Sequence, residues 1–425
     1  MSEEKLIVIE DDIEQVILIA AETYKVDVVK NLTELEELVK TSGGVVVDVL
    51  TQKLDSPNPK SYFNKGKLEE LKDLISLHNA TGIVCDDELS PKQLRFMSDV
   101  LETKVMDRTM VILDIFAQRA LSSEGKAQVE LAQLKYNSTR LIGFGIGLSR
   151  QGGGIGTKGP GEKKLEMDRR HIRERILELE QEISKIKSVR KTQREKRIKT
   201  GKTVLSMVGY TNAGKSTLLN ALTDADVLSE NILFATLDTT TRKLKLPSSR
   251  EILYTDTVGF ISKLPHTLIE AFNATLEELQ YADVLIHVVD VSNPEFESQV
   301  ETVYETLENL KCDDKPIITV LNKIDLINDN VEFLYKDERA VTTLSISATK
   351  EINLDEFLET IDKVINETKQ ETIVLVPFDR GDIISLIKAK AFIMEEEYKE
   401  YGVHFKIIVD NELRNRVDEY VVGDK

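Results

Sequence analysis

An apolar run, Val204-Leu205-Ser206-Met207-Val208, leads without a gap into Gly209-Tyr210-Thr211-Asn212-Ala213-Gly214-Lys215-Ser216 and then into the helical pattern Thr217-Leu218-Leu219. This is G-x-x-x-x-G-K-S with a strand before it and a helix after it. The glycines let backbone N–H groups turn inward around phosphate oxygens, and the helix adds the positive end of its dipole. Lys215 places a point charge on the β- and γ-phosphates, and the Ser216 hydroxyl is a hard oxygen ligand for Mg²⁺. A strand–loop–helix unit of this kind belongs in a parallel sheet, so the surrounding fold is expected to be α/β.

Further stations follow in chain order on the ends of expected strands (251–255, 284–289, 316–321, 343–346). Ile252-Leu253-Tyr254-Thr255 ends at Asp256-Thr257-Val258-Gly259. An acid at the end of a parallel strand can hold a metal through water, and the glycine N–H can meet a γ-phosphate. The strand over 316–321 ends at Asn322-Lys323-Ile324-Asp325. An ionised carboxylate only accepts hydrogen bonds, so Asp325 matches the N1–H and exocyclic amine of guanine, a pair adenine lacks. Lys323 is expected along the base plane, and Asn322 ties this loop to Gly209–Ser216. Ser347-Ala348-Thr349 follows the next strand, and its backbone can meet guanine O6. These stations together predict GTP or GDP as the ligand. A threonine that completes the Mg²⁺ shell is expected within Phe234-Ala235-Thr236-Leu237-Asp238-Thr239-Thr240-Thr241-Arg242, but spacing alone does not choose among them. A glutamine that orients the attacking water commonly follows Asp-x-x-Gly. Here that position is Phe260, which predicts slow intrinsic hydrolysis.

The rest of the 425 residues divides by texture. Residues 1–108 alternate strands (45–49, 82–85, 104–106) with helices (32–39, 68–77, 91–100), predicting a small α/β domain. Residues 109–200 carry two long helical patterns. In the second, Leu165, Ile172, Ile176, Leu179, Ile183 and Ile186 form an a/d seam suited to an antiparallel helical hairpin. Between the two lies an expected loop over 141–161, whose tip Arg150-Gln151-Gly152-Gly153-Gly154-Ile155-Gly156-Thr157-Lys158-Gly159-Pro160-Gly161 is too glycine-rich for a helix or core strand. The nucleotide domain spans 201–369. Residues 370–425 read strand (373–376), helix (from 383), strand (405–409), helix, a small α+β appendage.

Fifty-six basic against 74 acidic residues leave a net charge of −18, which excludes a general nucleic-acid coat. A local cationic face remains near the glycine-rich tip, made by Arg150, Lys158, Lys163, Lys164, Arg169 and Arg170, and these are the candidate RNA contacts. The bland alternative is a solvated coiled-coil surface. Two cysteines distant in sequence and five scattered histidines offer neither a disulfide framework nor a zinc site. The first residues lack a secretory pattern and no apolar run is long enough for a bilayer, so a cytoplasmic protein is expected.

Several stretches carry a more specific likeness. Asp107-Arg108-Thr109, Ile112-Leu113-Asp114-Ile115-Phe116-Ala117-Gln118-Arg119-Ala120, Gln128-Val129-Glu130-Leu131-Ala132-Gln133-Leu134 and the 152–162 loop match motifs of the HflX family. So do Asp86-Asp87-Glu88-Leu89-Ser90-Pro91 and Pro377-Phe378-Asp379-Arg380-Gly381-Asp382. The chain resembles this family of translational GTPases, within the Obg–HflX group, over its whole length. The resemblance implies that Thr236 is the Mg²⁺ threonine. It further implies binding to the large ribosomal subunit and its rRNA, with the hairpin tip reaching toward the peptidyl-transferase region. The implied role is separation or rescue of stalled or idle ribosomes under stress. A monomer is expected. In some related GTPases the asparagine at the Asn212 position helps hold K⁺ between the β- and γ-phosphates; capping of the loop's own backbone is the ordinary alternative. The sequence departs from the family at Thr239, usually proline, and at Lys163-Lys164, usually Thr-Gln. A second class of function, a GTPase coupled to RNA remodelling with ATP used in the first domain, ranks lower because residues 1–200 hold no second Gly-Lys-Ser loop.

Overall fold

The computed structural model describes residues 13–24, 27–148, 160–199, 203–223, 233–234, 240–263, 276–327 and 335–422. They fall into two compact units divided between Glu180 and Gln181.

The first unit is built on β1 (Gln15–Glu22), α1 (Val28–Thr41), β2 (Val45–Lys53), α2 (Lys65–His78), β3 (Gly82–Cys85), α3 (Pro91–Leu101), β4 (Lys104–Asp107) and α4 (Arg108–Arg119). Its sheet is parallel throughout, in the order β2-β1-β3-β4. Strand β1 adds to the three strands expected from sequence. It is an unbroken apolar run from Val16 to Ala21, buried on both faces because it occupies the centre of the sheet. Ile17, Ile19 and Ala21 pack with Leu68 and Leu71 of α2 and Met97 and Leu101 of α3.

The Asp107-Arg108 pair of the motif is a buried structural hub. The Asp107 carboxylate caps α4 through Met110 N (3.0 Å), accepts from Leu89 N (3.1 Å) and from the Tyr136 hydroxyl, and pairs with Arg140 (3.0 Å). The Arg108 guanidinium meets Asp86 at 3.1 Å and also Glu34. Charges this deep persist because each is paired.

Two long helices follow, α5 (Ser123–Leu148) and α6 (Pro160–Lys199), so the loop expected over 141–161 is shorter: helix runs on through 141–148 and resumes at Pro160, where proline suits a first helical turn. Arg175 donates to both carboxylate oxygens of Glu130 (2.7 and 2.9 Å), and Lys135 pairs with Glu180 at 2.9 Å. On α6 the seam positions Ile172, Ile176 and Leu179 are less exposed than the charged residues beside them, as a 3.5-residue repeat requires.

The second unit holds a six-stranded sheet: β5 (Val204–Val208), β6 (Thr240–Lys245), β7 (Glu251–Asp256), β8 (Val284–Asp290), β9 (Ile317–Asn322) and β10 (Thr342–Ser345). Helices α7 (Lys215–Leu222), α8 (Phe296–Asn309) and α9 (Leu354–Thr368) belong to the same fold. The order is β10-β9-β8-β5-β7-β6, parallel except for β6 at one edge. Strand β6 was not anticipated: its charged residues Arg242, Lys243 and Lys245 suit an edge and hide the strand pattern. The carboxyl ends of the other strands all lie along one margin, where an open α/β sheet places its ligand.

His287 of β8 is buried, and burial holds its imidazole down at about 4 although Asp337, 3.9 Å away, pulls the other way. The unfolded chain therefore takes up a proton below about pH 6.5 that the native protein refuses. Stability is full above that pH and declines as pH falls toward 4, by about 3 kcal/mol at most. Urea titrations at pH 7 and 4.5 should show this loss, and His287→Gln should flatten it.

The chain ends in β11 (Lys369–Pro377), α10 (Gly381–Lys390), β12 (Phe392–Lys399), β13 (Gly402–Asp410) and α11 (Asn411–Val417). The sheet is antiparallel, β11-β13-β12, with Val374, Phe405 and Ile407 packed against Ile387 and Leu413. Strand β12, also unanticipated, is an edge strand whose Glu395, Glu396 and Glu397 are exposed, so no apolar alternation marks it.

Candidate GTP-binding site

The stations named from sequence converge on the margin of the six-stranded sheet. Gly209 follows β5, Asp256 ends β7, Asn322 ends β9, and Ser347 lies just beyond β10. Gly209 and Gly214 have φ of 152° and 93°. A Cβ on Gly209 would lie 2.3 Å from Val288 O, and one on Gly214 only 2.2 Å from the Asn322 Nδ2. Glycine at 214 is what lets Asn322 reach the loop. The Asn322 amide donates to Ala213 O (2.9 Å) and its oxygen accepts from Ala348 N (3.0 Å). One buried side chain thus fastens all three loops.

Lys215 is buried, and its ammonium donates to Gly209 O (3.0 Å) and Tyr210 O (2.7 Å). Burial lowers its pKa to about 8, with Asp256 opposing the shift. A phosphate dianion beside it would restore the full charge. The Ser216 hydroxyl donates to Asp256 Oδ2 at 2.7 Å, and Asp256 is completely buried. This pair of hard oxygen donors, one at the start of α7 and one at the end of β7, fits Mg²⁺ bound jointly by protein and phosphate. Among the described residues no group of three His, Cys, Asp or Glu could hold a metal by itself.

Asp325 is exposed, and its Oδ1 accepts from Ser347 Oγ at 2.6 Å. Lys323 adopts φ 65° and its ammonium pairs with Asp290 Oδ2 at 2.7 Å. Ile324 packs on the core, Thr349 is exposed and Thr217 half-buried. Val258 is buried, and Thr257 turns its hydroxyl to Met207 O, so these two hold the strand end in place. Asn212 has φ 61° and is half-buried; no loop-capping bond from its side chain occurs among the described residues.

Phe260 points away from the loop. Its ring is buried among Val208, Leu276, Leu279 and Leu285. Its backbone is fastened to the loop on both sides, Phe260 N to Gly209 O (3.1 Å) and Thr211 N to Phe260 O (2.7 Å). A Cβ on Gly259 would lie 2.9 Å from Thr211 Cα and 3.0 Å from the Lys215 ammonium. The next turn is held by Tyr210, whose hydroxyl accepts from Ser262 N at 2.7 Å and also bonds Ser262 Oγ.

Family comparisons agree with this geometry. Residues 29–117 match the family model described as "GTP-binding GTPase N-terminal", 119–197 "GTP-binding GTPase Middle Region", and 204–323 "50S ribosome-binding GTPase". Over 410 residues the chain is 51% identical to "GTPase HflX" of Lacrimispora saccharolytica, covering 96% of each. It is 46% identical to "GTPase HflX" of Caldanaerobacter subterraneus subsp. tengcongensis (97% and 95% covered). With that of Escherichia coli the identity is 39%, 82% of each chain being covered. The chain belongs to the HflX GTPase family.

Not every expected site residue of this family member can be placed. Phe234 is buried with φ 55°, whereas Ala235, Thr236, Leu237 and Asp238 lie outside the described residues. So do Arg150 and Lys158, and the side chains of Lys163 and Lys164 on α6. Arg170 is exposed and pairs with Glu174 at 3.6 Å, while Arg169 is half-buried. Asp290, Ser292 and the Tyr210–Ser262 contact carry no signature in the sequence. Each links residues 33 to 52 positions apart or sits in an ordinary turn motif, so only folding shows what they touch.

Proposed function

We propose that the chain binds GTP or GDP through residues 209–217, 256–259, 322–325 and 347–349, hydrolyses GTP, and docks on the large ribosomal subunit to separate or rescue stalled or idle ribosomes under stress. The observation that supports this most is Asn322, which fastens the phosphate loop to both loops expected to meet the base. Lys215 and the Gly259 N–H would meet the γ-phosphate. Asp325 would accept the guanine N1–H and amine, and the backbone of Ser347 to Thr349 would meet O6. Mg²⁺ would be held by Ser216, by Thr236 and through water by Asp256, and when bound it neutralises charge on the β- and γ-phosphate oxygens.

With the Phe260 ring in the core, the protein supplies no side chain from that position to orient water. Hydrolysis is therefore slow until the ribosome supplies or repositions a polar group. Asn212 is available for K⁺, and single-turnover rates in KCl should exceed those in NaCl at equal ionic strength; equal rates would remove this role.

Residues 109–200, with the cationic face around Arg150, Lys158, Lys163, Lys164, Arg169 and Arg170, would make the rRNA contact on an otherwise acidic protein. In this reading the protein is a monomeric factor working in the cytoplasm; separately, no described helix is long and apolar enough to cross a membrane. Sedimentation with large subunits should show binding with a non-hydrolysable GTP analogue and much less with GDP; equal binding in both states argues against a nucleotide switch. The double variant Lys163→Glu, Lys164→Glu should weaken that binding at least tenfold in about 100 mM salt and reduce its salt slope by roughly two, with GTP affinity unchanged. Unaltered subunit affinity would mean a merely solvated helix face.

A further inference from the structure

Asp290 ends β8 opposite Asn322, the last residue of β9, yet it belongs to none of the sequence motifs above. Its two carboxylate oxygens have separate partners. Oδ1 accepts from Ser292 N (3.0 Å) and Ser292 Oγ (2.6 Å), so the turn after β8 fixes the carboxylate plane. Oδ2 receives the Lys323 ammonium at 2.7 Å. Both side chains are largely shielded from solvent, 20% exposed for Lys323 and 14% for Asp290, and at such shielding an ion pair is only weakly screened. Val291 N also donates to Asn322 O (3.2 Å), which locks the two strand ends in register. Lysine has four rotatable bonds, and a stem that must lie flat beneath a base loses that freedom on binding unless it is already held.

We propose that Asp290, itself oriented by Ser292, is a positioning residue that holds the Lys323 side chain in the place where it receives the guanine base. This rests on the reading of Asn322–Asp325 as the base-recognition loop. Asp290 acts through Lys323 and touches no nucleotide atom. Lys323 is left-handed (φ 65°), so its backbone is committed to a sharp turn and the side chain is the only part left to steer. Holding it ahead of binding slows nucleotide release, since the pair stays formed while the base is bound.

A double-mutant cycle on the full-length protein tests this, reading the affinity and release rate of fluorescent GDP for Lys323→Ala, Asp290→Asn and the double variant. Each single variant is expected to weaken GDP binding about tenfold, mostly through faster release, because a shielded charge pair loses one partner. The double variant should be no weaker than Lys323→Ala alone, and the nucleotide-free melting temperature of all three should stay close to that of the parent. Ser292→Ala keeps the carboxylate but frees its plane, and about a threefold loss is expected on the same grounds; it also serves if Asp290→Asn fails to fold. Multiplying losses in the double variant, or unchanged GDP release in Asp290→Asn and Ser292→Ala beside a weakened Lys323→Ala, would overturn the proposal. An unaffected Lys323→Ala would instead overturn the base-loop reading on which it rests.

Discussion

Asp325→Asn is expected to lower GDP affinity by about a thousandfold and to create measurable binding of xanthosine diphosphate, which the parent protein refuses. The carboxylate accepts only, matching the two donors on the guanine edge. An amide turns one of those acceptors into a donor, leaving a guanine N–H facing another N–H. Xanthine carries a carbonyl where guanine has its amine, so the same amide finds an acceptor there. The pocket should survive, because the remaining side-chain oxygen can keep the hydrogen bond from Ser347 Oγ that Asp325 Oδ1 now accepts at 2.6 Å. Calorimetry with GDP, xanthosine diphosphate and ADP is the check. Comparable ADP affinity in the parent protein would remove Asp325 as the discriminating group.

Phe260→Gln places the usual water-orienting side chain at its usual position, and no gain in intrinsic GTP hydrolysis is expected. The ring lies in the core beneath β5 and β8, and the peptide on each side is bonded to the phosphate loop. A glutamine there must either bury an amide without partners or pull residues 259–262 off the loop. The first costs lost apolar burial and an unsatisfied polar group, together about 3 kcal/mol. The second moves the Gly259 N–H from the phosphate and slows the reaction. Unfolding by urea should show the destabilisation, and single-turnover hydrolysis without ribosomes should stay level or fall. A tenfold increase would mean that position 260 faces the nucleotide and that the core placement does not persist in the GTP state.

How much could be read without coordinates varied with the kind of residue. That the phosphate and base loops converge was legible because each is a short motif at a strand end, and a parallel sheet brings strand ends together whatever lies between. The strands missed were those lacking a local signature. β12 exposes three successive glutamates and β6 carries Arg242, Lys243 and Lys245, both edge strands held by backbone pairing. Some motif letters marked the family without telling what their side chains do. Asp107 and Arg108 stand out in the sequence as family markers, yet their side chains are spent inside the first unit on Tyr136, Arg140, Asp86 and Glu34.

The sequence by itself pointed to a guanine nucleotide, through a lysine after two turn glycines and an acceptor-only side chain three residues past an asparagine. It also determined a mainly parallel sheet, because strands separated by helices must return in the same direction. Only the tertiary structure decided which way Phe260 points, that Asn322 reaches across 109 residues to Ala213, and that Asp290 holds Lys323. These depend on which surfaces meet when the sheet assembles, and contact between residues far apart in the chain leaves no trace in local spacing.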